Sequence, residues 1–319
     1  MPIKEIGTLA LKVTIAAGLI YWFVSYGKLD FNTLAILTKE SHLIPFLCLV
    51  WFTGPLLLCG IRWWLLMEVV GFPFSRKKLL SYQAIGIFFN TVLPGAVSGD
   101  LVKVIYAFRE HPHKPKSGAV VSTIMDRALG IYALFTIGAL VTIARLETIM
   151  ATPLLQPLAL MTIIAFLGLS LTSCLIIIPW QNGDPIAHLL EKPFPLFTHM
   201  AKVYNAVRCY QPYSKRLGLC LLLSLCSQGL LCFTFAWIAS RMVPGSALGD
   251  VAMIFPIGFV TTAIPITPGG LGVGHLAFDQ LFAMMNLQGG ANVFNVYIIA
   301  MLSLNLLGVA PYLLLRKRT

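Results

Sequence analysis

Long, predominantly apolar stretches recur along the 319-residue chain, at 9–24, 43–51, 154–178 and 296–315. The longer ones match the ~20 residues that an α-helix needs to cross a ~30 Å hydrocarbon core. Charged residues are 11% of the chain and hydrophobic ones 58%, against roughly 25% charged in an ordinary soluble domain. Lipid offers no hydrogen bonds to exposed backbone, so apolar runs of this length fold as helices. The expectation is a single transmembrane domain over 1–319, an all-α polytopic membrane protein. The apolar content excludes disorder. The longest stretch without a span, 181–216, is short and interrupted by proline, which excludes a soluble catalytic domain and a nucleic-acid reader.

Six full spans are expected, at about 7–26, 43–70, 118–144, 154–179, 217–242 and 293–315. The first begins after Lys4 and resembles a leader, but no small-residue cleavage site precedes Tyr21 and Trp22, so it reads as an uncleaved span. Two apolar segments are left over, 79–108 and 251–287. Each consists of two short arms about a Pro/Gly break: Pro94-Gly95 with Gly99, and Pro268-Gly269-Gly270 with Gly272 and Gly274. Arms this short read as re-entrant helical hairpins, and their freed backbone groups should face protein or a water-filled cavity.

The chain carries 23 Lys+Arg against 12 Asp+Glu. This topology gathers seventeen of the basic residues on one side, Lys103 at the base of the first hairpin among them. Only Lys28, Lys39, Arg145 and Arg241 fall opposite, and Arg62 and Arg127 lie within spans. The positive-inside rule then places both termini in the cytoplasm. The two hairpins open from opposite sides, so halves of approximately 1–144 and 154–315 form an inverted repeat, as in many secondary transporters.

Ionisable residues at membrane depth are candidates for function. Asn90, Pro94, Gly95, Gly99, Asp100 and Lys103 surround the first break, with Asp100 and Lys103 on one helix face. The helix start after the glycine offers N–H groups to an anion, and Lys103 adds a point charge suited to phosphate. An interfacial turn with Asp100 as a cap and Lys103 snorkelling is the plainer alternative. Asp126-Arg127 sits eight to nine residues into the third span, roughly 13 Å deep. Either Arg127 ties to Asp100 or Asp279 in a structural ion pair, or it is a fork for phosphate oxygens that a carboxylate holds when the site is empty. The densest signal is Thr267-Pro268-Gly269-Gly270-Leu271-Gly272-Val273-Gly274-His275, followed by Asp279 one turn on. It is either a tight turn with a hydrogen-bonded histidine or a ligand contact able to exchange a proton. Arg62, before Trp63-Trp64, reads as a snorkelling residue of an aromatic belt.

The seven cysteines have no partners at metal spacing and read as small core residues. No GxSxG, Walker or HExxH pattern occurs, so neither an enzyme nor a cofactor is expected, and motion of a substrate would be downhill or coupled to an ion gradient.

The run from Asn90 through Pro94-Gly95 to Gly99-Asp100, then Asp126-Arg127 with Gly130, then Thr267 to Val273, resembles the flippase-like family, also called the lysylphosphatidylglycerol synthase transmembrane-domain family. The resemblance covers nearly the whole chain. It implies movement of lipids or polyprenyl-linked glycolipids across a membrane, and it points to Asn90, Pro94, Gly95, Gly99, Asp100, Arg127, Pro268, Gly269, Gly270 and Gly272. Some members carry a fused aminoacyl-transferase domain, for which these residues leave no room, so lipid aminoacylation is not expected. The family often has Arg where this chain has Lys103, and an acidic residue where it has His275.

The expectation is therefore a flippase of the cytoplasmic membrane for an anionic phospholipid or polyprenyl-phosphate lipid. A groove between the two hairpin tips would take the head group. A non-catalytic partner of a glycosyltransferase or lipid-modifying enzyme is the alternative, with homo-oligomerisation open. An intramembrane enzyme using Asp100 and His275 is the weakest reading, since no nucleophile accompanies them.

Overall fold

The long apolar runs are helices. The computed structural model describes residues 31–40, 42–92, 97–114, 116–179, 184–190, 204–262 and 271–316, with 21, 25 and 201. Among them there is no strand, and five helical segments are long and apolar enough to cross a membrane: Leu43–Val69, Ser117–Ala144, Pro153–Ile177, Tyr204–Met242 and Gly290–Leu315. They correspond to five of the six expected spans. The sixth, 7–26, lies outside the described residues apart from 21 and 25, as do the two breaks with Pro94, Gly95, Pro268, Gly269 and Gly270.

Helix α1 (Leu43–Val69) is not regular. Pro55 has no N–H to give, and the segment Phe52–Leu58 widens into a π-helical turn around it. The carbonyl of Pro55 is met from outside, by Gln83 Nε2 at 2.9 Å. After a short loop, α2 (Arg76–Val92) and α3 (Ser98–Glu110) lie side by side and flank the first break. Their contact is backbone to backbone: a side chain at Gly99 would overlap the Gly86 carbonyl. Asn90 Oδ1 accepts the Gly99 N–H at 2.8 Å, tying the two arms together next to the break.

Helix α4 (Lys116–Ala144) is the central post, packed on α1, α3, α5 (Gln156–Ile177), α6 (Ser214–Met242) and α7 (Leu248–Thr262). Helix α8 (Val273–Met284) follows the second break and pairs with both α7 and α9 (Gly290–Asn305). Its core is aromatic, with Phe235, Phe255, Phe259, Phe278, Phe294 and Tyr297 in mutual ring contact. The stretch without a span, 181–216, is partly helical, at Pro185–Leu190 and again just before α6. The cysteines divide: Cys220 and Cys232 are buried and Cys59 is half-buried, whereas Cys48, Cys174 and Cys226 are exposed on apolar helices, where lipid rather than protein would cover them, and Cys209 is exposed in a turn before α6.

Candidate functional site

Five ionised side chains of α1, α3 and α4 converge on one cavity of about 300 Å3. Arg62 lies seven residues before the end of α1, Lys103 seven before the end of α3, and Asp126 nine after Ser117. At 1.5 Å per residue these place the groups roughly 10–14 Å in from helix ends that two short loops hold together. The same ends carry Arg76, Lys77, Lys78 and Arg109. The cavity therefore lies within the layer on the basic side of the bundle.

Asp100 is 5% exposed and serves two cations. Its Oδ1 is 3.0 Å from Lys103 Nζ, and its Oδ2 accepts from Arg127 Nε and Nη2, each at 2.5 Å. Lys103 is 3% exposed; it also donates to Gln83 Oε1 at 3.2 Å and lies over the Trp63 ring, 4.9 Å from its centre. It is no snorkelling residue and does not belong among the loop charges of the hairpin base. Asp126 belongs to a second, more fully buried pair: its Oδ1 accepts from Arg62 Nε at 2.7 Å, and Arg62 Nη1 donates to Ser224 Oγ of α6 at 2.9 Å. Arg62 is 5% exposed, which corrects the snorkelling reading of that residue. Hydrogen bonds to both a carboxylate and a hydroxyl hold it inward.

Three cations against two carboxylates leave the cavity one positive charge in excess. Inside a low-dielectric layer such an excess favours an anion far more strongly than it would in water. The amides of Gln83, Asn90 and Gln228 complete the polar lining. Arg127 forms the outer edge, its side chain 36% exposed, and the neighbouring outward residues Leu101, Ile124 and Ile131 are exposed apolar ones. The polar cavity thus meets a lipid-type surface at its side, between α3 and α4.

Among the described residues, the helices flanking the second break, α7 and α8, supply none of these groups. Gly272 has φ +84°, a conformation glycine adopts without strain, and opens α8. Its N–H donates to His275 Nδ1 at 3.2 Å. That bond fixes the proton of the neutral imidazole on Nε2, which donates to Asn295 Oδ1 at 3.3 Å. His275 is 2% exposed, edge-on to Phe294, and lines the start of a helix rather than the ionised cavity. Asp279 is half-buried one turn further on α8, also outside that cavity. Among the described residues no group of His, Cys, Asp and Glu could hold a metal ion. Arg62 as a cavity residue, Gln83, Ser224 and Gln228 were not anticipated from the sequence. The only signal was that polar residues in apolar spans need partners.

An apolar helical bundle with an ionised cavity inside it defines a multi-pass integral membrane protein. Residues 9–309 match the family described as Lysylphosphatidylglycerol synthase TM region, and the chain belongs to that family. Membership ties it to lipid metabolism or transport. No curated protein and no solved structure matches the chain.

Proposed function

We propose that the protein is a flippase, moving an anionic phospholipid or a polyprenyl-phosphate lipid across the cytoplasmic membrane, with both termini in the cytoplasm. The observation that carries this reading is the sharing of Asp100 by Lys103 and Arg127, which leaves the cavity one cation in excess. A phosphate entering from the side takes the place of the Asp100 carboxylate on Arg127, whose planar fork binds two oxygens at once. Lys103 adds a third donor. The hydrocarbon tail stays among the exposed Leu101, Ile124 and Ile131. The two breaks act as hinges of re-entrant hairpins in an inverted repeat, so that rocking one half exposes the head group on the other side.

The experiment is transport in vesicles containing purified protein, using phosphatidylglycerol and a polyprenyl phosphate with a quenchable fluorophore on the tail, and phosphatidylcholine as the neutral control. Wild type moves the anionic lipids, and Arg127→Ala slows them by about tenfold or more, the value of one charge-assisted bidentate contact. Equal rates for the variant and wild type would remove the cavity from the route. No movement by wild type would favour the partner reading.

A further inference from the structure

A second large cavity, about 350 Å3, lies on the opposite side of α4 from the ion pairs. Met125, Ala128, Leu129 and Tyr132 face it, whereas Asp126, Arg127, Gly130 and Leu134 face the polar one. At 3.6 residues per turn these two stripes are roughly 180° apart. The far walls are α5 and α6. Both pack on α4, yet among the described residues they make no substantial contact with each other, so the cleft between them opens sideways. Its lining is almost wholly carbon, and α5 is exposed along nearly its whole length. Protein interiors leave few voids larger than a water molecule, and an open apolar cleft in a bilayer fills with hydrocarbon.

The dimensions fit one chain. Along α5 the lining runs from Leu169 to Ile177, about 12 Å at the helical rise. At ~30 Å3 per water-sized unit the volume corresponds to about a dozen carbon atoms. The cleft reaches the C-terminal end of α5 and the N-terminal end of α6, where Ser214 lines it. Cations stand there. Arg208 Nη1 donates to the carbonyls of Ile176 at 3.3 Å and Ile178 at 3.0 Å, and Lys215 is exposed beside Ser214. Asp184, 3.4 Å from Arg208 Nε, offsets only one of the two charges.

We propose that this cleft is a binding site for one acyl chain of an anionic phospholipid, whose phosphate rests against Arg208 and Lys215. The site is separate from the ion-paired cavity and does not depend on the flippase reading. A resident lipid there would back the stripe of α4 whose other face carries Asp126 and Arg127.

Gly218 gives a clean test, because a side chain at this lining position meets nothing within 4 Å. A Cβ there meets open space, so a leucine is expected to extend into the cleft. Gly168 is equally open but lies outside the lining, so Gly168→Leu adds the same surface elsewhere. Native mass spectrometry in mild detergent, titrated with phosphatidylglycerol or phosphatidylcholine of matched chains, reads the occupancy. After bulk lipid is stripped, wild type and Gly168→Leu each retain one phosphatidylglycerol more than Gly218→Leu, which binds that lipid about tenfold more weakly, the value of roughly two displaced methylenes. Ser173→Leu narrows the cleft from the α5 wall and serves as the second variant if Gly218→Leu does not fold. Lys215→Ala removes the preference for phosphatidylglycerol while the chain still binds. Retention by both cleft variants at the wild-type level overturns the proposal, as does equal loss in Gly168→Leu or a wild type that holds neither lipid.

Discussion

Asp126 and Arg127 are neighbours in sequence yet belong to separate ion pairs: Asp126 reaches Arg62 of α1, and Arg127 reaches Asp100 of α3. Adjacent helical residues point ~100° apart, so one short stretch of α4 binds two different elements. The Arg62–Asp126 pair is the more buried and is structural. Removing one member of a buried pair leaves an uncompensated charge, which costs about 3–5 kcal/mol, whereas replacing both by apolar residues is close to neutral. Arg62→Leu and Asp126→Leu should each lower the midpoint of thermal unfolding in detergent strongly, and the double variant should recover most of the loss. Additive effects of the two single changes would show that the pair is not coupled.

The more exposed Asp100–Arg127 pair behaves differently because Asp100 neutralises two cations. Asp100→Asn removes that shared carboxylate and raises the excess charge of the cavity by one. The expected outcome is tighter binding of anionic lipid with slower turnover, since the group that competes the phosphate off its cations is gone. Transport kinetics over a series of lipid densities check this: half-saturation should fall and the maximal rate should fall with it. A higher maximal rate would sink the role assigned to Asp100 as the displaceable counter-ion.

The helical, membrane-spanning character of the chain was readable from its apolar runs, and the two helices flanking the first break were placed to within a few residues because Pro94 and Gly95 punctuate the pattern. Asp100, Lys103, Asp126 and Arg127 were readable for the same reason: a charge within an apolar run stands out. Their partners were not. Arg62 and Asp126 are 64 positions apart and meet only through the packing of α1 on α4, and Arg62 beside two tryptophans has the local pattern of a belt residue. Gln83 and Gln228 carry no charge and look like tolerated polar residues until the helices are assembled around the cavity. Gly272 and His275 were singled out together, but only the hydrogen bond to the Gly272 N–H identifies the histidine as a cap for α8.

The tight crossing of α2 and α3 gives a stability prediction independent of charge. A methyl group at Gly99 would run into the Gly86 backbone, which cannot turn aside as a side chain can. Gly99→Ala should destabilise the hairpin by about 1–3 kcal/mol, the usual cost of overpacking. Gly168→Ala, in open space on α5, should leave stability unchanged or raise it by a few tenths of a kcal/mol through helix propensity. Thermal unfolding of the two variants side by side reads the difference, and equal midpoints would show that α2 and α3 separate without cost.

If the excess positive charge is what recruits the head group, then cancelling it without breaking an existing contact should abolish recruitment. Gln228 lines the cavity from α6 and is half-buried, near the guanidinium side of Gly130. Glutamate has the same shape and adds one negative charge, bringing three cations against three carboxylates. Even at an effective dielectric constant of 20, a unit charge a few ångströms from a cation is worth several kcal/mol, so anion affinity should fall by about tenfold or more. Gln228→Leu removes the amide but not the charge excess, and should weaken binding much less. Measuring phosphatidylglycerol affinity for both variants separates charge from shape. A Gln228→Glu protein that binds as tightly as wild type would show that the head group is held by hydrogen-bond geometry and not by the net charge of the cavity.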